Sequence, residues 1–151
     1  MTPYKLLLVV LLNSGFTAAY SQHNHAEKNT AAVPPMKFDP VMNQVLSDPE
    51  LKDYKMESLL MTLAPGAEDT VSHRHDCELF GYVLEGDIQI ALITKDPTTF
   101  STGQMFYEKR NILHTLARNP SKEKAARVLL IFIIKNGRVG YKAEYPEKKT
   151  N

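Results

Sequence analysis

Cysteine is almost missing from this chain. One residue, Cys77, stands among 151. No disulfide can therefore close within the chain, and no Cys-x-x-Cys pair exists to build a zinc ribbon or a thioredoxin-like redox site. A surplus of either charge is missing as well: 18 Lys and Arg face 17 Asp and Glu. Setting aside residues 1–21, which hold Lys5 and no acid, leaves 17 basic residues (18 less Lys5) against the same 17 acidic ones. Such a balance supplies no general attraction to nucleic acid or to an anionic membrane. No apolar run approaches the roughly 20 residues that span a bilayer as a helix. No internal repeat is visible, and beyond Pro49 no stretch carries helical periodicity over 12 residues.

What is present is enough apolar material for a core, 43% of residues, in a length that suits one domain. Residues 1–21 read as a secretory signal peptide. Lys5 gives a short basic start, Leu6 to Leu12 an apolar run, and Ala19 and Ser21 a small-residue cleavage pattern, with cutting expected before Gln22. No cysteine follows the run to carry a lipid anchor. The expected location is secreted or periplasmic. Residues 22–38 are polar and contain proline, and read as a flexible linker. His23 and His25 lie there; a nearby free N-terminus would let them pick up copper or nickel, but their polar surroundings favour a solvated tether.

The domain is expected over 39–145, followed by a disordered, charged tail at 146–151. Asp39-Pro40 reads as a helix start, with Val41, Met42, Val45 and Leu46 on one side, stopped at Ser47-Asp48-Pro49. From Met56 the pattern turns to strands. Leu59, Met61 and Leu63 alternate, and Pro65-Gly66 turns the chain. Further strands are expected over 70–75 and 79–85. Gly86-Asp87 is a hairpin signal, followed by the alternating Ile88, Ile90 and Leu92. Shorter strands are expected around 105–107, over 112–117 and over 139–145. Residues 127–135, RVLLIFIIK, form the most apolar strand and should be central. Many short strands bounded by turn residues indicate a sandwich or barrel.

His73 and His75 stand two apart in the second of these strands, so their side chains share a face about 6–7 Å apart, within reach of one ion. With Gly66, Tyr82-Val83-Leu84-Glu85-Gly86, Gly103, His114 and Asn119, they resemble the two motifs of the cupin superfamily, over roughly residues 55–135. The resemblance implies an all-β double-stranded β-helix, or jelly roll, here preceded by a short N-terminal helix, with a metal inside the barrel. It assigns His73, His75 and His114 as ligands and makes Glu78 the candidate carboxylate. The family sets three or four residues between the second His and that Glu; here only two intervene, and Leu79 occupies the slot counted back from Gly86. A one-residue shift reverses a strand's face. Glu78 therefore reaches the metal only from a loop or through a bulge; without it the site is three-His, which the family also uses.

Three imidazoles, with or without a carboxylate, suit Fe, Mn, Zn, Ni or Cu and do not choose among them. The competing reading is three buried, hydrogen-bonded histidines. Cys77 reads as a small buried side chain sooner than as a soft ligand or redox thiol. Phe80, Tyr82, Phe106, Tyr107 and Phe132 are candidates for pocket walls or plain core. Arg74 belongs on the face opposite the histidines. Three functions fit: a metal-dependent, dioxygenase-like enzyme acting on a small organic molecule, a non-catalytic small-molecule or metal-binding module, and a metal-free structural barrel. Expected partners are a small-molecule ligand and, by analogy with the family, a second copy in a homodimer; nucleic acid is not expected, nor is a membrane once the signal is cleaved.

Overall fold

The structure, a computed structural model, describes residues 34–93 and 96–144. The expected signal peptide, most of the expected linker with His23 and His25, and the expected tail lie outside the described residues.

Among the described residues, eleven strands form two sheets. In chain order they are β1 (Met36–Val45), β2 (Tyr54–Leu63), β3 (Glu68–Asp69), β4 (His73–Arg74), β5 (Glu78–Glu85), β6 (Asp87–Leu92), β7 (Thr98–Ser101), β8 (Met105–Glu108), β9 (Leu113–Arg118), β10 (Ala126–Lys135) and β11 (Lys142–Ala143). The first sheet runs β1-β2-β10-β5-β8 and the second β11-β4-β9-β6-β7, with β3 also on β9. All pairings are antiparallel. The apolar strand β10 is central, as its composition predicts.

Alternation along each strand sorts side chains into rows. Across the first sheet, Glu57, Phe132, Leu79 and Glu108 stand opposite one another on β2, β10, β5 and β8. Two residues along, the row is Leu59, Leu130, Gly81 and Phe106. Beyond it come Met61, Val128 and Val83. These inner rows meet Ile88, Ile90 and Ala117 of the second sheet to form the core. Fully burying one such aliphatic side chain contributes about 1.5–3 kcal/mol. The core is driest around Leu63, Val83, Val128 and Ile88, none of which reaches solvent.

Residues 39–46 are not a helix. All but Leu46 belong to β1, which pairs with β2 in a register that shifts between Pro40 and Met42. An edge strand with a bulge tolerates a residue that has no N–H to donate. The apolar positions expected to form a buried helical side, Val41, Met42 and Val45, are instead exposed. The helical turn comes later, as a single 3-10 turn at Pro49–Leu51, where the Asp48 carboxylate accepts from the Glu50 amide at 2.8 Å. β1 also begins at Met36, inside the stretch expected to be linker.

Gly86-Asp87 does not close a hairpin. β5 pairs with β10 and β8, whereas β6 pairs with β7 and β9. Gly86, at φ +72°, carries the chain from one sheet to the other, and a Cβ there would stand 3.0 Å from the Ala125 carbonyl oxygen. Of the strand expected over 70–75, only His73–Arg74 forms one, β4; β3 ends before it at Asp69, whose carboxylate accepts from the Val71 amide.

Candidate metal centre

The pairing of β4 with β9 puts His73 directly opposite His114. His75 follows the end of β4, where the Asn111 amide donates to its carbonyl oxygen at 2.8 Å. Asn111 itself adopts φ +59°, a conformation that asparagine tolerates better than most residues. The three imidazoles are buried, with ring centroids 4.6 Å apart for His73 and His114, 4.9 Å for His73 and His75, and 6.2 Å for His75 and His114. One nitrogen from each lies within 4.8 Å of the others.

The second nitrogen of each ring is anchored. His73 Nδ1 donates to the Val71 carbonyl oxygen, His75 Nδ1 to that of Gly140, and His114 Nε2 to that of Leu116, each at 2.7 Å. A backbone carbonyl can only accept, so each bond places the proton on the anchored nitrogen. His73 Nε2, His75 Nε2 and His114 Nδ1 are left with free lone pairs. Burial lowers the pKa of His75, and pushes that of His114 down to about 4, with the His73 ring adding to it. Neutral rings with anchored outer nitrogens are the form in which histidine binds metals. The donor set therefore fits a transition metal ion.

Glu78 is not brought to this cluster. Its carboxylate accepts from the Tyr107 hydroxyl and, at 3.4 Å, from the Arg110 amide. The hydrogen bond to Glu78 is the main reason the Tyr107 phenol titrates above its usual range. A different acid does reach the cluster. Glu108 is 1% exposed, and its Oε2 lies 3.7 Å from His75 Nε2 and 3.6 Å from His114 Nδ1. Burial raises its pKa to about 7. The sequence reading missed it. The available signal was its place in the alternation of β8, on the same face as Phe106.

The histidines and Glu108 open onto a cavity of about 470 Å³. Its walls are mostly apolar: Leu59, Met61, Leu79, Ile90, Leu130 and Phe132 among others, with Glu57 and Asp69 as further acids. Met36 and Phe38 of β1 and Tyr141 also line it, and Phe38 and Tyr141 are exposed. Tyr141 packs on the His73 ring at 4.4 Å. Of the aromatic residues proposed as walls, Phe106 and Phe132 line the cavity. Phe80 and Tyr107 instead pack on each other at 5.1 Å. Arg74 points away, paired with Glu144 and donating to the Asn111 carbonyl oxygen. Cys77 is buried, and burial together with Asp76 and Glu78 pushes its thiol to about 11, which leaves it an inert core residue. Asn119 is structural: its amide donates to the carbonyl oxygens of Leu63, Ala64 and Lys124, and its Oδ1 accepts from the Ser121 amide.

Two antiparallel sheets around a histidine-lined cavity define a small β-barrel whose three histidines could hold a metal ion. Residues 59–132 match the family described as the cupin domain. The fold is similar to that of KdgF from Halomonas sp., at 19% identity and a TM-score of 0.53, over 70% of this chain and 84% of that one. It is also similar to an RmlC-like cupin with a double-stranded β-helix fold from Methanocaldococcus jannaschii, at 12% identity and a TM-score of 0.54, over 69% and 84%. The DMSP lyase DddQ from Ruegeria pomeroyi matches at 15% identity and a TM-score of 0.51, over 62% of this chain. That match spans only 45% of the lyase chain. No curated protein matches the sequence. Domain match and fold together support the cupin superfamily.

Proposed function

We propose that this chain is an exported cupin that holds one transition metal ion through His73, His75 and His114 and presents it to a small organic molecule in the adjoining cavity. The carrying observation is that three buried imidazoles, each anchored by its outer nitrogen, aim their free nitrogens at one another. Bound there, a metal supplies Lewis acidity and, where redox-active, electron transfer to dioxygen. The chain's own contribution is orientation and exclusion of water. The carbonyls of Val71, Gly140 and Leu116 fix the rings, and the apolar walls favour a ligand that is largely hydrocarbon with one metal-seeking polar group. Dioxygenase-like oxidation of such a ligand is the activity we propose. The cavity volume suits a small molecule, and a metal held by three protein ligands would keep coordination room for one.

Export rests on the Lys5, Leu6–Leu12 and Ala19/Ser21 pattern. No helix among the described residues is long and apolar enough to cross a membrane.

The reading is tested by melting the protein stripped of metal and again with Fe(II), Mn(II), Zn(II), Ni(II) or Cu(II). A metal at about 100 times its Kd adds about 2.7 kcal/mol of stability. A rise of that order with at least one ion, lost in His73→Ala, is expected; no rise with any of the five overturns the proposal. Oxygen uptake by the loaded protein with candidate substrates then separates an oxygenase from a binding module.

A further inference from the structure

The geometry points to Glu108 as a fourth protein ligand to the same ion, delivered from the strand beside the one that the sequence pattern indicates. This inference rests on the three-histidine reading and adds a ligand to it.

Glu108 is buried among core residues, and neither carboxylate oxygen has a hydrogen-bond partner. An unpaired buried carboxylate is among the most unfavourable groups a protein can carry, and one usually marks a missing counter-charge. What it faces is telling. Its Oε2 is 3.7 Å from His75 Nε2 and 3.6 Å from His114 Nδ1. Both nitrogens are the deprotonated ones, since the protons sit on the nitrogens bonded to Gly140 and Leu116. His114 Nδ1 has no partner either. With Glu108 ionised, lone pairs face lone pairs with no donor between them, and a shared cation is the simplest group that satisfies all of them. The spacing fits. Two donors each about 2.1 Å from one ion at the tetrahedral angle stand about 3.4 Å apart.

The strand register explains how the acid arrives. Leu79, in the slot counted back from Gly86, faces inward and is buried. Its direct partner on the neighbouring strand is Glu108. Adjacent strands lie about 4.8 Å apart, so the carboxylate enters the same inner row one strand over. Glu78, one residue before Leu79, takes the other face and is held by Tyr107 and Arg110. The resulting set, three imidazoles and one carboxylate, favours divalent Fe, Mn, Ni or Zn over Cu(I), which prefers sulfur.

The test is competition for Zn(II) and Mn(II) against a chromophoric chelator, with wild type, Glu108→Gln and Glu78→Gln. The inference predicts one ion per wild-type chain, at least about 100-fold weaker binding in Glu108→Gln, and an unchanged affinity in Glu78→Gln. Loss of an outer-shell partner costs only about 10–100-fold. Unchanged affinity in Glu108→Gln overturns the inference and leaves the three-histidine reading intact; a wild type that takes up no metal overturns both. A crystal structure of the zinc-loaded wild type decides the point independently of how the variants fold. A Glu108 oxygen within about 2.2 Å of the ion supports the inference, and one beyond about 3 Å overturns it.

Discussion

Gly81 shows how tightly single residues constrain the cavity. A Cβ built there would lie 2.0 Å from the Phe106 ring, its partner across β5 and β8. Gly81→Ala must therefore push Phe106 off the cavity wall. Such overpacking costs about 1–3 kcal/mol, readable by urea denaturation; an unchanged midpoint would show that the ring moves freely. At Cys77 the expectation is kinetic. The thiol is buried and its pKa is about 11, well above the usual range, so little thiolate exists at pH 8. A thiol reagent at pH 8 should label the folded protein slowly and the unfolded protein fast, and equal rates would contradict the packing. His73 and His75 were legible as a pair from their two-residue spacing, and His114 through the resemblance to the second cupin motif. Glu108 was not. Alternation with Phe106 places it on an inner face, but it becomes part of the site only through the register that sets it beside Leu79, 29 positions earlier.

Elements were legible where alternation and turns agreed, as in β2, β5, β6 and β10. They were misread where a local signal had two physical outcomes. Asp39-Pro40 satisfies a helix start and equally a bulged edge strand, and only pairing with β2 decides. Gly86-Asp87 satisfies a hairpin and equally a crossing between sheets. The sheet order predicts a hierarchy of opening. β10 is hydrogen-bonded on both sides, to β2 and β5, whereas β1 pairs with β2 alone. Hydrogen exchange should be slowest in β10 and faster in β1. Protection in β1 equal to that in β10 would mean that a further strand covers the edge.

At the scale of the molecule, the outer face of the first sheet stays apolar. Leu129, Ile131 and Ile133 on β10 are only half-buried, and Tyr82 and Leu84 of β5 are exposed. We propose that a second copy of the chain covers this face. Light scattering should then give twice the mass of the purified chain, falling to one chain in Ile131→Glu. A monomeric wild type would refute the pairing.

The central claim concerns the metal, and total metal analysis of the purified protein beside His114→Ala tests it most directly. The account predicts about one transition metal ion per wild-type chain and a large loss in the variant, because His114 brings one of the three anchored imidazoles. A wild type that remains metal-free after reconstitution, or a variant that keeps its full complement, would contradict it.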